Sequence, residues 1–333
     1  MKKKLLIVSS VFALVLIIFL GLVTQFPEEE PEPEESFHRS YPDVIKGNWE
    51  PSPFHMKQLM EEEVDELRDL GVNTVSISLE YRFGNDGSYS LDEMAVTKNL
   101  YSAKKNDFAV LVAPNFVGSA GVNFEEMGID MTLESFLQIS RDVALKWAEI
   151  SENYKAEFFA PQNEIDHMIQ SNFPEENVSE IVSEWHQEIV GELKNVFHGK
   201  LMAKMASIRP DDDFSGYDYV GTTIVHFGMS LEQFREGVRN RYTVLSQVAE
   251  KSGSEWLISE FWMPYYAEYW PLETEVDLDE CQDDYYRIAA EEYLNFEGEE
   301  KPAGFIFIAW LMPGMEIKGR DASTVMENFF ESI

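Results

Sequence analysis

The sequence is poor in cysteine and in base. A single cysteine, Cys281, stands in 333 residues, so no internal disulfide and no cysteine-held zinc can form within the chain. Only 26 lysines and arginines face 61 aspartates and glutamates, a formal net charge of −35. Binding nucleic acid requires clustered Lys and Arg against phosphate, and docking on an anionic membrane surface requires a basic patch. The charge balance argues against both. The six histidines are scattered and no HExxH occurs, which weakens the case for metal-dependent hydrolysis. No GxGxxG follows an early apolar run and there is no P-loop, so nucleotide phosphates lack their usual cradle. No internal repeat is visible. What is present is apolar and aromatic: 44% and 13% of the chain, enough to bury one large domain or two small ones.

The first residues do not read as part of that domain. Lys2, Lys3 and Lys4 precede an uncharged stretch from Leu5 to Val23, 19 residues long. A membrane-crossing helix needs roughly 20 apolar residues, whereas a cleavable signal has about 7–15 and a small-residue cleavage site. The run ends Leu20-Gly21-Leu22-Val23-Thr24 with no such site. The expectation is an uncleaved signal-anchor over residues 1–24, or else a cleaved signal peptide. In both cases the lysines stay inside and the remainder is exported to the cell surface or beyond. Residues 25–38 alternate Pro and Glu, as in Phe26-Pro27-Glu28-Glu29-Glu30-Pro31, and read as an extended, self-repelling spacer.

From residue 39 to 333 the chain alternates strand-like and helix-like segments eight times. Apolar or β-rich runs recur at Val44–Trp49, Val72–Leu79, Phe108–Pro114, Ala156–Asn163, Lys200–Ala206, Tyr219–His226, Glu255–Glu260 and Gly304–Leu311. Several are almost continuously apolar, as strands covered on both faces are. Helical spacing lies between them, most clearly from Val178 through Trp185 and Ile189 to Val196. The segment between the fifth and sixth runs is short and holds Asp211-Asp212-Asp213, a loop rather than a helix. Eight such units over about 290 residues predict a (β/α)8 barrel, with a doubly wound open sheet as the competing fold.

In a barrel of this kind chemistry sits at the C-terminal ends of the strands. Two glutamates, Glu164 and Glu260, fall there after the fourth and seventh runs. Trp49, Trp262 and Trp310 fall on the same rim, as do Arg82, Asn115, Asn163 and His226. Paired carboxylates and aromatic platforms are what glycoside hydrolysis needs: one carboxylic acid protonates the leaving oxygen while the other attacks the anomeric carbon or activates water. Flat rings stack on sugar faces, and Asn, Arg and His bind hydroxyls. Each residue has a plainer reading too. In so acidic a chain two glutamates reach strand ends by chance, barrel tryptophans are mostly core, and Glu80 with Arg82 makes an ordinary surface ion pair.

Three segments carry a family resemblance over roughly residues 40–333. Phe158-Phe159-Ala160-Pro161-Gln162-Asn163-Glu164 resembles the strand-four signature of the clan A retaining glycoside hydrolases, an apolar strand ending in Asn-Glu. Trp256-Leu257-Ile258-Ser259-Glu260-Phe261-Trp262 resembles their strand-seven signature, and Ile306-Phe307-Ile308-Ala309-Trp310 their eighth strand. The arrangement is similar to endo-acting β-mannanases and β-galactanases, with cellulase-like enzymes next. The resemblance implies a two-step retaining mechanism with Glu164 as acid/base and Glu260 as nucleophile. Asn163 would bind the sugar 2-hydroxyl, and Trp310 would floor the subsite at the cleaved bond. Arg82 would match the strand-two arginine that keeps the nucleophile ionised, and His226 the strand-six histidine. The chain departs from that pattern in two places. His226-Phe227-Gly228 lacks the tyrosine of the usual His-x-Tyr, for which Tyr265 or Tyr266 would have to substitute, and Asn115 stands where several families place a histidine.

The expected function is therefore an exported retaining β-glycosidase that acts on a β-linked polysaccharide or oligosaccharide, mannan- or galactan-like, and needs no cofactor, no metal, no nucleic acid and no protein partner. The competing readings are a carbohydrate-binding barrel without turnover and a metal-dependent hydrolase using Asp166, His167 and His226.

Overall fold

A computed structural model of the chain describes residues 37–84, 86–116, 123–225, 230–264, 278–298 and 301–333. The chain divides into two units, Met1–Glu32 and Pro33–Ile333. The first lies wholly outside the described residues, and with it the expected anchor over 1–24 and all but the end of the spacer. No described helix is long and apolar enough to cross a membrane.

The strands, in chain order, are β1 (Ile45–Glu50), β2 (Thr74–Phe83), β3 (Tyr89–Ser90), β4 (Ala109–Phe116), β5 (Phe158–Phe159), β6 (Lys200–Met205), β7 (Tyr219–Val225), β8 (Glu255–Trp262) and β9 (Gly304–Ile308). All pair in parallel except β3, a two-residue antiparallel flap on β2, and β1 pairs with both β9 and β2. The remaining eight strands close into the expected barrel.

The helices are α1 (Pro53–Glu62), α2 (Val64–Asp69), α3 (Glu93–Lys105), α4 (Leu133–Asn153), α5 (Ile165–Asn172), α6 (Val178–Val196), α7 (Leu231–Ser252), α8 (Leu278–Leu294) and α9 (Asp321–Ser332). Their ends follow local chemistry. Ser230 and Gln233 form a reciprocal capping box at the start of α7, and Gly253 closes that helix in the left-handed conformation at φ 69°. The chain breaks at Glu63 between α1 and α2. α5 is a helix that the sequence pattern had not suggested. The segment around Asp211–Asp213 is a loop, as expected. There Asp212 accepts from the Ser179 hydroxyl and the Arg209 amide.

Strict alternation divides the core in two. On β2, Val75, Ile77 and Leu79 face the helices, while Thr74, Ser76 and Ser78 face the barrel axis. The outer layer is the larger. It includes Trp147, fully buried, whose indole donates to the Tyr81 hydroxyl at 2.6 Å. The inner layer is a plug of Ile45, Leu111, Phe158, Met202, Leu257 and Ile306, so the barrel is filled and not a pore. Above that plug the inward positions turn polar, and there the candidate site begins.

Candidate active site

The two glutamates reach the rim by different departures from regular structure. The fourth barrel strand is shorter than its apolar run suggests, since only Phe158 and Phe159 are in the ladder. Pro161 has no N–H to give, and the chain leaves the sheet there. It returns at Asn163, whose amide donates to the Pro114 carbonyl at 2.6 Å and which bridges to Lys204 in parallel. The next residue, Glu164, donates its amide to the Lys204 carbonyl at 3.0 Å and sits at φ 57°, ψ 44° as it opens α5. A left-handed glutamate costs about 1–3 kcal/mol, a strain that clusters at functional positions.

Glu260 arrives through a β-bulge. Thr222 pairs with Ile258 but Thr223 pairs with Glu260, so Ser259 is the extra residue, and the shift recurs against β9. Leu257 faces the inner plug, whereas Ile258 and Phe261 face the helices. The bulge therefore leaves both Ser259 and Glu260 directed to the barrel interior, where plain alternation would have turned Glu260 outward. It also crowds β7: a Cβ at Gly221 would lie 2.5 Å from that of Ser259, so only glycine fits.

Thr223 links the two. It stands beside Glu260 in register, and its hydroxyl donates to Glu164 Oε1. The carboxylates also feel one another, for the charge of Glu164 disfavours ionisation of Glu260. Burial pushes the Glu260 carboxyl up to about 8; opposing it, the largest influence is the ammonium of Lys204, whose Nζ lies 2.5 Å from Glu260 Oε2. The side chain of Trp262 also favours the charged form. Lys204 is 1% exposed and donates to Asn163 Oδ1 as well; it lies over the Trp49 ring, 4.5 Å from the centroid.

Around this centre the expected residues divide. Trp49 and Trp310 are almost fully buried, and among the described residues their indole N–H groups have no partner. A buried donor in that state is poised for a hydroxyl. Trp310 lies just beyond β9, held by Glu50, which accepts from the Trp310 amide and, at 2.7 Å, from that of Leu311. Burial pushes Glu50 up to about 8. Asn115 is half-buried at the end of β4, beside Glu80 in register. Arg82, expected beside Glu260, is placed elsewhere. Its side chain is 77% exposed and its ion-pair partner is Glu80, at 3.8 Å. The pairing on β2 is the ordinary one, because position 82 lies past the barrel rim in the β2–β3 flap. His226, Tyr265 and Tyr266 lie outside the described residues.

Of the three residues named for a metal, Asp166 and His167 are among the described ones. Both oxygens of Asp166 are taken by the amides of Ala206 and Ser207 at 2.9 Å, with Arg209 at 3.7 Å, and His167 is exposed. Burial lifts Asp166 to about 6, and it ties the loop after β6 to the start of α5. Among the described residues no group of three or more His, Cys, Asp or Glu is placed to hold a metal ion.

Two contributors escaped the sequence reading. Thr223 gave no signal beyond a polar pair in an apolar strand. Lys204 gave one: a lysine within Lys200-Leu201-Met202-Ala203-Lys204-Met205, in phase with inward Met202, is a charge that must find a partner inside.

No family model matches the chain, and no curated protein matches it. Solved structures do resemble it. A GH113 β-1,4-mannanase superposes with a TM-score of 0.66 at 14% identity, covering 88% of this chain and 100% of the other. The GH113 β-mannanase AaManA from Alicyclobacillus acidocaldarius gives 0.64 at 13%, covering 88% and 98%. A glycoside hydrolase family 5 mannosidase from Rhizomucor miehei gives 0.62 at 12%, covering 87% and 93%. These likenesses establish the barrel fold.

Proposed function

We propose that this chain is a retaining β-glycoside hydrolase of clan A type, acting on a β-linked mannan-like polysaccharide or oligosaccharide. The observation that carries the reading is the Glu164–Thr223–Glu260 arrangement. Two carboxylates stand at the ends of the fourth and seventh barrel strands, one bonded by the Thr223 hydroxyl as it opens a helix, the other beside Thr223 in register and buried against an ammonium. The mannan preference rests on the similar barrels, two of them β-mannanases and one a mannosidase.

In the first step an oxygen of the Glu260 carboxylate bonds to the anomeric carbon. The glycosidic C–O bond breaks, and the leaving oxygen takes its electron pair together with a proton from Glu164. In the second step a water oxygen bonds to the same carbon and gives its proton to Glu164. The ester bond breaks, returning its electron pair to Glu260. In this reading Asn163, hydrogen-bonded by Lys204, binds the 2-hydroxyl, while Trp49 and Trp310 supply ring faces and indole donors. No cofactor enters this scheme.

The test is a panel of soluble β-mannan, β-galactan, β-glucan and xylan read by reducing sugar, repeated with Glu260→Ala and Glu164→Ala. The expected result is release from mannan, abolished by Glu260→Ala with the fold intact. Glu164→Ala is expected to slow poor leaving groups by about 10²–10⁴-fold and to spare dinitrophenyl glycosides. Full activity in both variants contradicts the assignment, and binding without cleavage by the wild type points to a barrel that has lost turnover.

A further inference from the structure

The glycosidase reading leaves one buried charge without a role, and the inference drawn from it rests on that reading. Lys204 is the largest charged side chain among the fully buried described residues. Its three neighbours are the three groups the reading places around the reacting sugar: Glu260 at 2.5 Å, the amide oxygen of Asn163, and the face of Trp49 at 4.5 Å. Arg82, which the resemblance put in this position, is turned out toward Glu80. Among the described residues, the charged groups that act on Glu260 are Lys204, from β6, and Glu164, from the start of α5. Beyond Glu164 stand Asp166 and the half-sequestered Arg241 of α7.

The two chemical steps treat this ammonium differently. When Glu260 forms the glycosyl ester its negative charge is lost, and Lys204 is left buried with only a neutral amide and a ring. A buried cation deprived of its anion is costly. When water displaces the ester oxygen, the electron pair returns to Glu260 and the ion pair is restored. The ammonium thus stabilises Glu260 more as a free carboxylate than as an ester. It tempers the attack in the first step and makes Glu260 a better leaving group in the second. We propose that Lys204 is the positioning cation of the nucleophile, holding Glu260 and Asn163 in place and driving release of the glycosyl-enzyme.

The experiment compares the wild-type full chain with Lys204→Met and Lys204→Arg on 2,4-dinitrophenyl β-mannoside, or on whichever dinitrophenyl β-glycoside the panel favours. Glu260 is identified in parallel by labelling with the matching 2-deoxy-2-fluoro-β-glycosyl fluoride and peptide mass spectrometry. In Lys204→Met, Glu260 faces a carboxylate with no cation to offset it. The acid limb of kcat/KM is expected to move up by about one pH unit or more. Above that limb kcat/KM recovers to within about tenfold of wild type. There kcat stays lower by more than about tenfold and KM falls with it, because the glycosyl-enzyme accumulates. Lys204→Arg keeps the charge and keeps the wild-type limb. If Lys204→Met does not fold, Lys204→Gln against Lys204→Arg gives the same contrast. An unmoved limb, with kcat and kcat/KM reduced equally at every pH, overturns the inference while labelling of Glu260 preserves the glycosidase reading. Absence of label on Glu260 in the wild type overturns both.

Discussion

Two lysine–glutamate pairs are buried at opposite ends of this barrel, and they are built differently. At the strand starts, Lys104 lies 2.5 Å from Glu157, with side chains 5% and 1% exposed. Glu157 also accepts from the amides of Ser40 and Val110, at 3.0 and 2.8 Å, and Lys104 donates to the His38 carbonyl. At the strand ends, Lys204 lies 2.5 Å from Glu260, with side chains 1% and 7% exposed. Among the described residues no backbone amide donates to the Glu260 carboxylate. It faces a second carboxylate instead, and burial holds Glu260 up to about 8. The lower pair is saturated with fixed partners and clasps the segment before β1 to β4 and β5. The upper pair is left electrostatically unsettled. The same two side chains make a clasp where both carboxylate oxygens accept from backbone amides, and a candidate reactive centre where the carboxylate has none among the described residues.

The comparison breaks most readily at the clasp. Lys104→Met strands a buried carboxylate and is expected to cost about 3–5 kcal/mol in urea unfolding, with kcat/KM per folded molecule unchanged. If activity falls instead while stability holds, the clasp is not merely structural.

A second prediction sharpens the upper end. Glu50, which holds the Trp310 loop, is pushed up to about 8 by burial from an ordinary 4.5. Between those values the folded chain keeps a proton that the unfolded chain has lost, so this stabilisation is complete below about 4.5 and declines as pH rises toward 8. Wild type is expected to lose on the order of 2 kcal/mol more than Glu50→Gln between pH 5 and pH 8. Glutamine keeps an acceptor for the Trp310 and Leu311 amides, so thermal melts of the two proteins across that range read the ionisation alone. Parallel curves would show that Glu50 is not held protonated.

The smallest effect is expected at Arg82. Its guanidinium is 77% exposed and 3.8 Å from Glu80, too loose a pair to count for much, so Arg82→Ala should change stability by less than about 1 kcal/mol and leave the acid limb of kcat/KM in place. A shifted limb would give Arg82 the role proposed for Lys204.

The barrel was legible because its strands are apolar runs of the right length at the right intervals, and both glutamates were legible as the ends of such runs. What was not legible depends on register. Read by alternation from Leu257, Glu260 belongs on the helix-facing side, and only the bulge at Ser259 brings it inward. Lys204 is legible as an inward lysine from its phase with Met202, but which carboxylate it meets depends on the strands placed beside β6. Thr223 matters because of the residue beside it on the next strand. Arg82 was assigned by likeness to a motif, and the β2–β3 flap carries it away from the interior. Each miss is a cross-strand relation, and a single sequence carries its periodicity along the chain but not its pairing across it.

The central claim is that Glu260 attacks the sugar directly, with Glu164 as acid and then as base. It is tested most directly by proton NMR of the first-formed product from a soluble β-mannan, or from the panel's best substrate, recorded before mutarotation. Two displacements at one carbon predict that the β-anomer appears first and the α-anomer only later. An α-anomer appearing first would mean a single displacement by water and would contradict the account.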